Sequence, residues 1–196
     1  MLAGRDYTLI IDKSGSMGTR DQAGGKSRWQ AVKESTIALA NKCEELDPDG
    51  ITVYTFAGRF KRYENVTAAK VEQIFQENEP SGSTNLTAVL QDALDHFFRK
   101  TDKRYETILV ITDGEPDDRK SVFEVIINAT QKMTKDEELA LSFIQIGNDP
   151  QATQFLKALD DKLMGVGAKF DIVDTVTFAD MEDMTLTEVL TNAIID

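Results

Sequence analysis

One carboxylate and two hydroxyls stand two residues apart in Asp12-Lys13-Ser14-Gly15-Ser16, directly after the apolar run Tyr7-Thr8-Leu9-Ile10-Ile11. Where a buried strand ends, oxygen donors at that spacing emerge together at the mouth of a sheet. Such hard oxygen ligands suit Mg²⁺, Mn²⁺ or Ca²⁺ better than a softer metal. A second carboxylate, Asp113, closes another apolar run, Ile108-Leu109-Val110-Ile111-Thr112. A third group, the Thr84 hydroxyl, comes from Pro80-Ser81-Gly82-Ser83-Thr84-Asn85-Leu86, a polar loop leading into an amphipathic stretch. Taken alone, Ser83, Thr84 or Asn85 reads equally well as the cap of the helix that follows.

The elements that must position these groups can be read from periodicity. Tyr7–Ile11, Ile51–Phe56, Thr107–Ile111, Leu139–Ile146 and Phe170–Val176 are short, apolar and rich in branched or aromatic residues, as buried strands are. Between them the apolar residues recur at three- and four-residue steps. A first helix is expected from Ser27 to Leu46, stopped by Asp47-Pro48-Asp49-Gly50, with others built on Leu86–Phe98, Val122–Met133, Phe155–Leu163 and Thr185–Ile195. Strand–helix alternation implies a mainly parallel sheet covered on both faces. Ala57-Gly58-Arg59-Phe60 is too short for a crossover, so Lys61–Val66 should return antiparallel as a charged edge strand. The expectation is a single α/β domain over residues 1–196, doubly wound, with six strands of which one edge strand is antiparallel. In such sheets ligands bind beyond the carboxyl ends of the strands, where strand order reverses, and Asp12 and Asp113 both lie at such ends.

With the elements in place, Asp12-Lys13-Ser14-Gly15-Ser16, Thr84 and Thr112-Asp113-Gly114 together resemble the metal-ion-dependent adhesion site (MIDAS) of the von Willebrand factor A (VWA) domain family. All five site positions are filled in the family's order, and the resemblance extends over nearly the whole chain. It is closer to bacterial stand-alone members than to extracellular, disulfide-bearing ones. The resemblance implies a Rossmann-like VWA fold. Ser14, Ser16 and Thr84 would then contact a metal through hydroxyls, and Asp12 and Asp113 would hold it partly through water. Mg²⁺ is the first expectation, with Mn²⁺ or Ca²⁺ compatible. The implied partner is a protein presenting an Asp or Glu to the metal. Intracellular relatives act as adaptors for partners such as AAA-type ATPases or stress-response proteins.

Composition narrows the alternatives. A net charge of −12 argues against general nucleic-acid binding, which needs clustered Lys and Arg. No apolar run reaches membrane-spanning length, and Met1–Asp6 does not read as a signal peptide. Cys43 is the single cysteine, so no intrachain disulfide forms and a cytoplasmic location is expected. Gly24-Gly25-Lys26-Ser27 lacks the first glycine of a phosphate-binding loop, since Arg20 stands there. Arg20, Lys26, Arg28, Arg59 and Arg119 fall near the expected metal face. They read either as a field that steers an acidic partner or as surface charge balanced by Asp21, Asp117 and Asp118. Asp117 and Asp118 are expected to serve a helix start. His96, Cys43 and Trp29 read as packing residues.

Three functions compete at this stage. The first is a metal-dependent interaction module, without catalysis. The second is a Mg²⁺-dependent phosphohydrolase, which would want a nucleophilic or basic carboxylate where Ser14 stands. The third is a metal-stabilised structural or oligomerisation protein.

Overall fold

The computed structural model describes residues 2–195, with Leu186 described by its backbone alone. The branched and aromatic runs become six strands: β1 (Asp6–Asp12), β2 (Ile51–Phe56), β3 (Phe60–Val66), β4 (Glu106–Thr112), β5 (Leu139–Gln145) and β6 (Val173–Thr177). They form one sheet in the order β3-β2-β1-β4-β5-β6, with every pair parallel except β2 and β3. The strand order reverses between β1 and β4, at the middle of the sheet. The last strand starts later than Phe170 because pairing with β5 begins at Val173, opposite Leu141. Phe170 instead packs, partly buried, against the helices below.

The helices are α1 (Arg28–Leu46), α2 (Ala68–Glu77), α3 (Leu86–Arg99), α4 (Arg119–Lys132), α5 (Pro150–Lys162), α6 (Phe178–Glu182) and α7 (Leu186–Ile195). α2 and α6 lie outside the sequence expectations. Both are short, and α2 buries only Ala68, Val71, Ile74 and Phe75. Strand alternation divides the interior into two cores. Ile10, Val110 and Phe143 face α3, α4 and α5, while Leu9, Ile11, Leu109 and Ile144 face α1, α2 and α7. Both faces of β1 and β4 are therefore covered, which fixes their carboxyl ends as rigid mounts. Among the described residues no helix is long and apolar enough to cross a membrane.

Candidate metal centre

The register of the two central strands brings the first two site elements together. β1 and β4 pair from Asp6↔Glu106 to Ile11↔Ile111, so Asp12 and Thr112 come next, side by side. Neighbouring strands lie about 4.8 Å apart, within side-chain reach. Thr112 Oγ1 donates to Asp12 Oδ2 at 2.7 Å, and the Ser14 amide donates to Asp12 Oδ1 at 2.7 Å. Asp12 is wholly buried. Burial pushes its carboxyl up to about 6, the Ser14 hydrogen bonds pull it down, and the neighbouring Asp113 charge adds to the rise. A carboxylate in this position is short of positive charge.

Ser14 stands just before, and Ser16 within, a 3₁₀ turn, Gly15–Gly18, anchored by the buried side chain of Met17. Ser14 Oγ and Ser16 Oγ are 3.3 Å apart, and Ser16 Oγ donates to Asp113 Oδ1 at 3.0 Å. Ser14, Ser16 and Asp113 are thus drawn into one cluster. Its spacing suits a small octahedral cation: with metal–oxygen bonds of about 2.0–2.1 Å, adjacent ligands on an octahedron stand about 3 Å apart.

Thr84 arrives on a loop sewn to the first motif. The Ser81 amide donates to the Lys13 carbonyl at 2.8 Å, and the Gly15 amide to the Gly82 carbonyl at 3.1 Å. Gly82 makes this possible with a φ of 84°, in the left-handed region that glycine tolerates. The cap of α3 is Asn85, whose side chain accepts from the Ala88 amide at 3.2 Å. Thr84 is therefore not the cap, and its hydroxyl has no protein hydrogen bond among the described residues. Asp117 was expected at a helix start but instead braces this loop. Its Oδ1 accepts from the Thr84 amide at 3.0 Å, and its own amide donates to the Thr84 carbonyl at 2.9 Å. Asp118 alone caps α4, accepting from the Ser121 amide at 3.1 Å.

Arg28 is the residue whose place at the centre the sequence reading missed. Its Nη1 donates to Asp113 Oδ2 at 2.8 Å, while Nη2 donates to Asp21 Oδ2 at 2.6 Å. These two carboxylates hold the guanidinium above its ordinary pKa, although burial works against them. In return Arg28 holds Asp21 down at about 2. Gly147, after β5, makes room: a Cβ there would meet the Arg28 guanidinium carbon at 3.0 Å. A reciprocal capping box between Ser27 and Gln30 fixes the start of α1. Arg28 is the first residue of that helix, where the dipole favours an anion. That mismatch was the available sequence signal for a specific carboxylate partner.

The other cations near this face divide. Lys26 pairs with Glu34 and Arg119 with Glu115, so local balance describes them, though with partners other than those expected. Arg20 reaches the Gly25 carbonyl. His96 lies 3.3 Å from Glu64, Trp29 packs against Phe75, and Cys43 is buried in the core. Among the described residues no group of three or more His, Cys, Asp or Glu could hold a metal. Any ion here would rely on hydroxyls as much as on carboxylates.

The fold and the cluster at its switch point define a class of protein, and the family comparison agrees. The model of the von Willebrand factor type A domain matches residues 7–115, and the chain belongs to that family. No curated protein sequence matches it. Among solved structures, a mutant of the PilB minor pilin from Streptococcus sanguinis superposes with a TM-score of 0.68 at 13% identity, covering 97% of this chain and 60% of that one. The SpRpn10 VWA domain superposes at 0.60 and 14% identity, covering 96% and 94%. A manganese-loaded TRAP protein from Plasmodium vivax superposes at 0.62 and 19% identity, covering 93% and 71%. This chain thus spans nearly all of the SpRpn10 domain, but 60% of the pilin and 30% of the pilus adhesin SpaC from Lactobacillus rhamnosus GG. At these identities the likeness is one of fold.

Proposed function

We propose that this chain is a metal-dependent protein-interaction module. Ser14, Ser16 and Thr84 would hold a divalent cation through hydroxyls, with Asp12 and Asp113 as the carboxylates. Mg²⁺ is the first candidate, with Mn²⁺ and Ca²⁺ compatible. One observation carries the reading: Ser16 Oγ stands 3.3 Å from Ser14 Oγ and 3.0 Å from Asp113 Oδ1, beside a buried, charge-starved Asp12. The manganese-loaded TRAP structure, of the same fold, lends support. A bound dication supplies Lewis acidity toward oxygen. With two carboxylates partly neutralised by Arg28, it would keep affinity for one more anion, an Asp or Glu of a protein partner.

A non-catalytic role is part of the proposal. Both Asp113 oxygens are engaged, by Ser16 and by Arg28, and both Asp12 oxygens accept from the protein. Neither is poised as a nucleophile or base. The family resemblance favours a cytoplasmic adaptor working with an AAA-type ATPase or a stress-response protein, and the lone cysteine agrees with a reducing compartment.

The test is recovery of partners from source cells by wild type, Asp12→Ala and Thr84→Ala, in Mg²⁺ and in chelator. Partners should be recovered only by wild type with metal; equal recovery in every condition sinks the proposal. Thermal unfolding gives a parallel readout. A metal at about 100 times its Kd should stabilise wild type by about 2.7 kcal/mol. For a domain of this size that corresponds to roughly 5–10 °C. Asp12→Ala should show no such shift. Mg²⁺-dependent phosphatase turnover abolished by Asp12→Ala would favour the hydrolase instead.

A further inference from the structure

Beside the cluster, on the same face, lies a cavity of about 370 Å³ whose walls are the β2–β3 hairpin and the two site loops. Lys13, Ser81 and Gly82 belong to its lining and also to the loops that carry Ser14 and Thr84. The hairpin is packed directly against the Thr84 loop: the Asn85 amide donates to the Ala57 carbonyl at 2.8 Å, and a Cβ on Gly58 would sit 3.0 Å from Ser83 Oγ. The cavity thus adjoins the loops that carry Ser14 and Thr84.

The chemistry of the lining is unusual for this chain. Lys13, Arg59 and Lys61 line it, and no acidic side chain does. The chain carries 34 acidic and 22 basic residues, so three cations together without an acid run against its composition. Among the described residues none of the three makes an ion pair, whereas Arg62, next along β3, pairs with both Glu64 and Asp92. Lys61 rests its ammonium over the Tyr63 ring at 4.6 Å, which leaves the charge available to a further anion. Phe60, 39% exposed, alternates to the other face of β3, where its ring stands 6.0 Å from that of Tyr54, so the lining on the Lys61 side is cationic and polar.

We propose that this basic groove receives an acidic, extended segment of the protein partner whose carboxylate completes the metal site. The further Asp or Glu residues of the segment would meet Arg59, Lys61 and Lys13. The inference rests on the proposed metal-dependent docking and adds the chemical class of the partner sequence. Steering toward an acidic partner then belongs to Arg59 with Lys13 and Lys61, and not to Lys26, Arg28 or Arg119, which are already paired. Nucleic acid is disfavoured by the −12 net charge around a patch this small.

The test uses a fluorescein-labelled Glu-rich peptide, and the same peptide with every Glu replaced by Gln, titrated with the full chain by fluorescence anisotropy. In Mg²⁺ the Glu peptide should bind wild type, and binding should weaken steeply with NaCl. Arg59→Glu combined with Lys61→Glu should weaken it about tenfold or more. Arg59 is exposed in the turn before the edge strand and Lys61 is exposed on it, and circular dichroism with the Mn²⁺-induced melting shift would show that fold and metal site are intact. Failure of wild type to bind the Glu peptide, equal binding by the charge-reversed variant, or equal binding of the Gln peptide would overturn the groove proposal. The metal reading fails separately, if wild type shows no metal-induced melting shift. In that case a salt- and charge-dependent response to the Glu peptide would still support the groove.

Discussion

Arg28 carries a positive charge to the edge of the oxygen cluster proposed to hold a cation. Asp113 is almost wholly buried, and a lone carboxylate there would be costly, so the guanidinium at 2.8 Å supplies the compensation. The same charge opposes any dication brought to Ser14, Ser16 and Asp113. At 4 Å a pair of unit charges interacts by about 4 kcal/mol at an effective dielectric of 20. Asp21, solvent and the flexibility of the guanidinium screen much of that. Arg28→Met is therefore expected to bind Mn²⁺ about three- to tenfold more tightly than wild type, and Arg28→Lys to stay near wild type. Isothermal titration of the three proteins measures this directly. Weaker binding by Arg28→Met would mean that orienting Asp113 outweighs the repulsion.

At the scale of elements, three loops from three parts of the chain are held together by backbone bonds. Lys13 and Gly15 meet Ser81 and Gly82, and Thr84 is clamped by Asp117 from the start of α4. Gly82 is the narrow point. A methyl there has room, with Ala57 Cβ at 3.6 Å, but the φ of 84° does not suit a side chain. The left-handed region costs an L-residue about 1–2 kcal/mol. Gly82→Ala should lose about that much in urea unfolding. It should also bind metal more weakly, because relief of the strain moves the Gly82 carbonyl away from Gly15. Unchanged unfolding and unchanged metal affinity would show that the loop tolerates the turn without glycine.

Across the whole molecule, the proposed metal face stands on a core sealed on both sides of β1. Tyr7 and Cys43 lie in the core between the sheet and α1, and burial pushes both up to about 12. In the unfolded chain a thiol titrates near 8.5 and a phenol near 10. Between about pH 9 and 12 the unfolded state therefore holds fewer protons than the folded one, and stability falls as pH rises through that window. Each such group contributes at most about 1.4 kcal/mol per pH unit. Urea unfolding from pH 8 to pH 10.5 should show the decline, with a shallower slope for Cys43→Ala. A thiol reagent should react with native Cys43 only as fast as the protein opens; rapid labelling at pH 8 would contradict its burial.

Sequence alone was enough for the elements that carry the proposed oxygen donors. Asp12, Ser14, Ser16, Thr84 and Asp113 are each flagged by local signals: a strand end, a polar turn, a loop before an apolar stripe. The alternation of runs implied the six-stranded sheet with its antiparallel edge, because apolar periodicity is written residue by residue. What tertiary structure decided is pairing between distant segments, which leaves little local trace. The β1–β4 register brought Asp12 beside Thr112 and Asp113 within reach of Ser16. The choice of Asn85 as cap freed Thr84 from that role, and Asp117 proved to be a brace for the loop rather than a helix cap. Arg28 looked like one surface cation among several, and only the positions of Asp113, Asp21 and Gly147 around it showed that it belongs to the centre. A charge has its meaning set by what surrounds it, and those neighbours are 7, 85 and 119 residues away along the chain.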